Sequence, residues 1–340
     1  MREAVLYKKL DTKGVQCVAC AWRCTIAEGK RGVCGVRQNV GGSLQLLVYS
    51  YPVSVNLDPV EKKPLYHFLP GTQIFSLGTV GCNFACDFCQ NFDISQVSKT
   101  GWDVAEVEQG PRYTPETIVQ YCVDHHIPSI AFTYNEPTIF SEYAVDVMKL
   151  AKPHGMRGVY VSNGYETKET LDYLNDYIDA FNIDLKSFRE EFYQKICHAR
   201  LAPVLETIQE LHQRGIWQEL TTLLIPGKND SVEEIGEIAS FIAGISSDIP
   251  WHISAFHPEY KMTDVEVTPS QKLFEAYEIG KKAGLRYIYT GNIADRRHGN
   301  TLCPQCGSLM IERDGMYHTK VIAEKGVCLQ CQTIIPGIWV

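Results

Sequence analysis

The spacing of apolar positions changes character twice along this chain. Between residues 74 and 290, short runs rich in β-branched and aromatic side chains occur at 74–80, 129–133, 158–161, 180–184, 217–225, 251–256 and 287–289. Between most of them lie segments whose apolar residues recur at helical spacing, at 115–125, 139–152, 168–177, 203–214, 232–245 and 270–283. This alternation of strand and helix signals predicts βα units around a parallel sheet. Six or seven units are more than most open doubly wound sheets of this length hold, and fewer than a full eight-unit barrel needs. The predicted fold is therefore α/β, a partial (β/α)6-type TIM-like barrel. Residues 1–45 show no long apolar period, and the prolines and glycine of YSYPVSVNLDPVEKKPLYHFLPG predict an extended connector within 46–73. After residue 290 the pattern stops.

Composition narrows the function class more than the fold. Of 340 residues, 45% are hydrophobic and 21% charged, which suits a packed core and excludes wholesale disorder. A net charge of −8 gives no basic footprint, so neither nucleic acid nor an anionic membrane is the expected partner. No run approaches 18 apolar residues, and the opening MREAVLYKKLDTKG carries no signal-peptide core, so a cytoplasmic protein is expected.

Thirteen cysteines change the picture. In a reducing compartment disulfides explain them poorly, and eleven fall into tight groups of three or four, as metal coordination requires. Cys122 and Cys197 stand apart and read as buried, incidental thiols. The group Cys82, Cys86 and Cys89 forms C-x3-C-x2-C directly after the first predicted barrel strand. Three thiolates can hold three irons of a [4Fe–4S] cluster and leave the fourth iron open to a small ligand, whereas a closed zinc site wants a fourth protein ligand. The position also favours chemistry, because barrel active sites collect on loops at strand C-terminal ends.

Cys303, Cys306, Cys328 and Cys331 form two C-x2-C knuckles 21 residues apart, the spacing of a zinc ribbon, with a rubredoxin-like iron site as the lesser alternative. Cys17, Cys20, Cys24 and Cys34 form C-x2-C-x3-C-x9-C, open to zinc or to an auxiliary iron–sulfur cluster. The expected organisation is thus a Cys-rich extension and connector at 1–60, a barrel at 61–300 and a zinc-ribbon module at 301–340.

The central triad, with Phe88 before its last cysteine, resembles the signature of the radical S-adenosylmethionine (SAM) superfamily. That resemblance implies SAM chelated by the open iron. It also implies that Thr133-Tyr134-Asn135-Glu136-Pro137 stands where the superfamily has Gly-Gly-Glu-Pro, which makes Asn135 and Glu136 candidates for the SAM amino group. Ser162 and Asn163 end the third predicted strand, and Asp184 and Lys186 of NIDLKSF end the fourth. The Asp-Leu-Lys resembles pyruvate formate-lyase activating enzymes, which implies contact with the SAM ribose region. His257 of WHISAFHPEYKM matches a histidine near SAM in such enzymes, while His252 reads as packed.

Over nearly the whole chain, CVACAWRC, GKRGVCGVRQN, DPVEKKPLYHFLPG, TYNEPTIF, IDLKSF, CPQCG and the PGIW end resemble the radical SAM protein of the AmmeMemoRadiSam system. This implies an anaerobic, oxidoreductase-like enzyme that reductively cleaves SAM at a [4Fe–4S] cluster to a 5′-deoxyadenosyl radical for hydrogen abstraction. The implied electron donor is a flavodoxin or ferredoxin, and the implied partner an AMMECR-type or Memo-type protein or a glycyl-radical enzyme. The resemblance supplies no substrate. A glycyl-radical enzyme activase is the alternative within this chemistry. A non-enzymatic iron–sulfur and zinc scaffold or electron carrier is the alternative outside it.

Overall fold

The computed structural model describes residues 1–100 and 103–339. Every predicted apolar run becomes a strand of one eight-stranded sheet. In chain order the strands are β1 (Ser54–Pro59), β2 (Gln73–Gly78), β3 (Ser129–Phe132), β4 (Arg157–Ser162), β5 (Ala180–Asp184), β6 (Trp217–Leu224), β7 (Trp251–Ala255) and β8 (Ile288–Gly291). β1 runs antiparallel to β2, and each later strand pairs in parallel with the one before it. Spatial order equals chain order without a reversal, an arrangement compatible with a partial barrel and unlike a doubly wound sheet.

The crossovers carry α1 (Pro115–Asp124), α2 (Ser141–Ala151), α3 (Lys168–Leu174), α4 (Ala202–Gln213), α5 (Val232–Ile245) and α6 (Ser270–Lys282). Thr114, Thr167 and Ser231 cap α1, α3 and α5, each accepting from the backbone N–H three residues on, which fixes where these helices begin. All four residues of β3 are buried, as expected for an inner parallel strand.

β1 departs from the sequence expectation, which gave only a connector there. Its residues are half-buried or exposed over most of its length, because an edge strand has solvent on one side and carries little apolar signal. Pro59 is tolerated at its end, where no further ladder bond is needed.

The N-terminal residues form two small antiparallel sheets, one of Arg2–Glu3, Arg37–Val40 and Ser43–Leu46, the other of Tyr7–Lys9, Val15–Cys17 and Thr25–Ile26. Cys20, Cys34, Val36 and Leu46 join the same apolar core as the sheet. The buried Arg37 guanidinium donates to both carboxylate oxygens of Glu142 on α2, at 3.0 and 2.5 Å. At the other end, Thr301–Leu302, Leu309–Asp314 and His318–Val321 make a third antiparallel sheet. Its core of Cys303, Met310, Ile311 and Ile335 packs on Tyr66, Tyr287 and Tyr289 of the central body. Ile338 also exchanges backbone hydrogen bonds with His67 and Leu69.

Candidate functional site

The loop after β2 carries Cys82, Cys86 and Cys89, and backbone contacts hold it from several sides. Gly81 donates to the Ile94 carbonyl, Ala85 to that of Cys197, and Asp87 to that of Ile196. The Asn135 amide donates to the Gly81 carbonyl at 2.7 Å, and the Trp22 indole to the Asn83 carbonyl at 2.8 Å. Gly81 sits at φ +98°, and a Cβ there would meet the Cys34 carbonyl at 2.7 Å, so a side chain is excluded on both counts. This restraint presents the three thiols to one cavity of about 550 Å³ at the C-terminal ends of the strands.

The strand ends supply the remaining wall. Asn135 and Glu136 follow β3, Ser162 and Asn163 end and follow β4, and Asp184 and Lys186 end and follow β5; all six line the cavity. Lys186 Nζ donates to Asp184 at 2.7 Å. Burial acts against the Lys186 charge, but Asp184, Cys86 and Cys197 outweigh it and raise its pKa. Glu136 has its oxygens engaged already, accepting from Thr138 N, Ser162 Oγ and Asn163 N at 2.8–3.0 Å. Burial, then repulsion from Glu166, push the Glu136 carboxyl up to about 8. Asn163 donates to Asn83 at 2.7 Å, while its Oδ1 is buried with no protein partner.

His257 does not line the cavity. It is about half exposed and meets Gln90, whereas His252, read from sequence as packed, lines the wall and pairs with Glu219 at 2.7 Å. The physical reason is strand alternation: His252 lies within β7, whereas His257 lies beyond its end. Sequence reading also missed Lys63, Tyr66 and Cys197. The first two line the cavity from DPVEKKPLYHF, where nothing in the sequence marks Lys63 as buried while Lys62 beside it is exposed. Burial pulls the Lys63 ammonium down to about 8 against the pull of Asp58. Cys197 lies near enough to the Cys86 thiol to raise its pKa, a proximity across 111 residues that no spacing reveals.

Tyr134 takes φ +68°, the left-handed conformation that glycine adopts freely and tyrosine does not. Its hydroxyl donates to Asp58 at 2.6 Å and the Lys63 ammonium lies 4.4 Å from its ring centre, two contacts that offset the backbone cost.

The cavity triad fits a cluster with an open iron better than a single ion. A tetrahedral zinc at about 2.3 Å from each sulfur draws its ligands to within about 4 Å of one another. Among the described residues, Cys303, Cys306, Cys328 and Cys331 are the set of ligand atoms lying within 4.8 Å of one another, and they can hold a metal ion. The neighbouring Cys197 thiol for Cys86, and burial for all three, push the Cys82, Cys86 and Cys89 thiols up, so metal binding there releases protons.

Residues 76–242 match the model of the radical SAM superfamily. An uncharacterised protein of Methanocaldococcus jannaschii is 42% identical over 323 residues, covering 95% of this chain and 94% of that one. The chain belongs to the radical SAM superfamily. Membership makes it an enzyme and implies a [4Fe–4S] cluster and SAM. It is related to pyruvate formate-lyase activating enzymes: that of Clostridium pasteurianum is 21% identical over 209 residues, 56% of this chain and 83% of that one. A radical SAM methyltransferase of Sphaerobacter thermophilus shares the fold with a TM-score of 0.50 and 13% identity, over 71% of each chain. No helix among the described residues is long and apolar enough to cross a membrane.

Proposed function

We propose that this radical SAM protein is the enzyme of an AmmeMemoRadiSam-type system, reductively cleaving SAM for hydrogen abstraction from a substrate that is either a small molecule or a protein partner of AMMECR or Memo type. The observation that carries the catalytic reading is the convergence of three thiols from one strand-end loop, two buried and one half-buried, on a polar-walled cavity. In this reading Cys82, Cys86 and Cys89 hold the [4Fe–4S] cluster as thiolates. When bound, cluster and SAM supply a 5′-deoxyadenosyl radical that takes a hydrogen atom from the substrate. Asn163, whose Oδ1 lacks a protein partner, would accept from the SAM ammonium, and Asp184 would accept from the ribose hydroxyls. Lys186, held by Asp184, would offer its charge to the SAM carboxylate, while Ser162 and Asn135 position Glu136 and the cluster loop.

The likeness to pyruvate formate-lyase activating enzymes favours a second reading, in which the partner is a glycyl-radical enzyme. Both readings require a low-potential electron from a flavodoxin or ferredoxin in an anaerobic cytoplasm. The C-terminal quartet we assign to zinc, because the Cys303–Cys331 and Cys306–Cys328 sulfur separations of 3.5 and 3.6 Å suit one tetrahedral ion. On this assignment residues 301–340 form a zinc ribbon and residues 1–60 a Cys-rich extension to a partial barrel.

The test is anaerobic reconstitution with iron and sulfide, then SAM and dithionite, with 5′-deoxyadenosine quantified against Cys82→Ala. Product that disappears with Cys82 supports the reading. A loaded cluster that binds SAM and yields no nucleoside, with or without an AMMECR-type, Memo-type or glycyl-radical partner, overturns it.

A further inference from the structure

The N-terminal quartet differs in geometry from the C-terminal one, and the difference bears on what it holds. Cys17, Cys20, Cys24 and Cys34 surround a single small pocket, closed in by Ile26 and Ile139. Each of the six pairs among the four thiols is close enough to interact electrostatically. Yet, among the described residues, no three of them lie within 4.8 Å of one another, as the C-terminal thiols do. Four sulfurs drawn onto one tetrahedral ion would lie within about 4 Å of one another. A cubane, whose irons occupy separate corners, holds its thiolates farther apart than a single ion does.

We propose that Cys17, Cys20, Cys24 and Cys34 ligate a second [4Fe–4S] cluster, closed by four cysteines and therefore unable to bind SAM. Each thiol releases one proton to solvent as its sulfur binds iron, and the cluster cycles between the 2+ and 1+ states by one electron. The surroundings suit an anionic, water-excluded centre. The Arg37 guanidinium lies within electrostatic reach of Cys17 and Cys34, and its bond to Glu142 keeps it buried and fixed. The two loops also touch: Ser98 donates to the Cys34 carbonyl at 2.9 Å, and Trp22 bonds the residue after Cys82. A cluster here is placed to pass electrons to the one in the cavity. That role rests on the function proposed above, whereas the metal assignment does not.

The test separates the two. In full-length Cys82→Ala/Cys86→Ala/Cys89→Ala protein, reconstituted anaerobically, about four irons and four sulfides per chain are expected. Wild type should hold about twice that. Dithionite should give the triple variant an electron paramagnetic resonance signal of a reduced cluster that SAM leaves unchanged. One ion without sulfide, two irons with two sulfides, an empty site, or a signal that SAM perturbs would each overturn the assignment. If the triple variant does not fold, the wild-type iron and sulfide count decides, about eight of each for and about four against. Loss of SAM cleavage in the triple variant with its iron retained bears only on the function.

Discussion

At the scale of single residues, Glu136 is the group whose chemistry the fold alters most usefully. Its carboxyl is walled in, with Glu166 beside it, and is pushed from 4.5 up to about 8. Glu166 is raised by burial too, so the two acids titrate as a pair that keeps a proton near neutrality. In the unfolded chain that proton leaves near pH 4.5. Between roughly pH 4.5 and 8 the folded state therefore binds more protons than the unfolded one, and stability falls as pH rises. We predict that between pH 5 and pH 8 the thermal midpoint of Glu136→Gln, which needs no proton to be neutral, slopes downward less with pH than that of the wild type. Equal slopes in the two proteins would refute the assignment.

At the scale of elements, the Arg37–Glu142 pair ties the N-terminal sheets to α2. Both side chains are at most 1% exposed, and Glu142 Oε1 also accepts from Val5 and Leu6 N–H at 3.0 and 3.1 Å. Arg37 further donates to the Ile139 carbonyl at 2.8 Å. Removing one partner strands a buried charge, so Arg37→Ala should cost about 3–5 kcal/mol in denaturant unfolding. Replacing both, as Arg37→Met with Glu142→Leu, should cost markedly less, since no lone charge remains. A double variant no more stable than Arg37→Ala would show that the pair's hydrogen bonds to the backbone, not its charges, carry the attachment.

For the whole molecule, the C-terminal sheet is bound into the body by more than its thiols. Arg313 is buried, donates to the Tyr66 carbonyl at 2.7 Å and lies 4.1 Å from the Tyr66 ring centre. The His67 ring meets the Pro336 carbonyl at 2.9 Å and the Tyr289 hydroxyl at 2.6 Å. A carbonyl can only accept, so the Nδ1 of His67 carries the proton and Nε2 accepts from Tyr289. Met316, at the hairpin tip, lines the cavity itself. Because the quartet's module shares its core with Tyr287 and Tyr289, Cys306→Ser/Cys331→Ser should lower one common thermal transition by several degrees and produce no separate early one. A wild-type-like main transition preceded by a small independent step would contradict this.

Local signals settle a good part of this protein in the sequence alone. Strand and helix positions from 74 to 290 follow from apolar period, because each βα unit buries its own face and needs no distant partner to be recognised. The triad, the two quartets and the strand-end polar groups are equally legible, since metal ligands and turn-borne side chains keep short spacings. Tertiary structure decided what depends on long separations. It paired the weakly patterned β1 with β2, placed His252 rather than His257 in the wall, set Cys197 behind Cys86 and brought Lys63 into the cavity. It also set the two quartets apart in geometry, where their spacings had already differed. Sulfur-to-sulfur distances are fixed only when three-dimensional packing closes the loops, which brings the C-terminal thiols within 4.8 Å of one another.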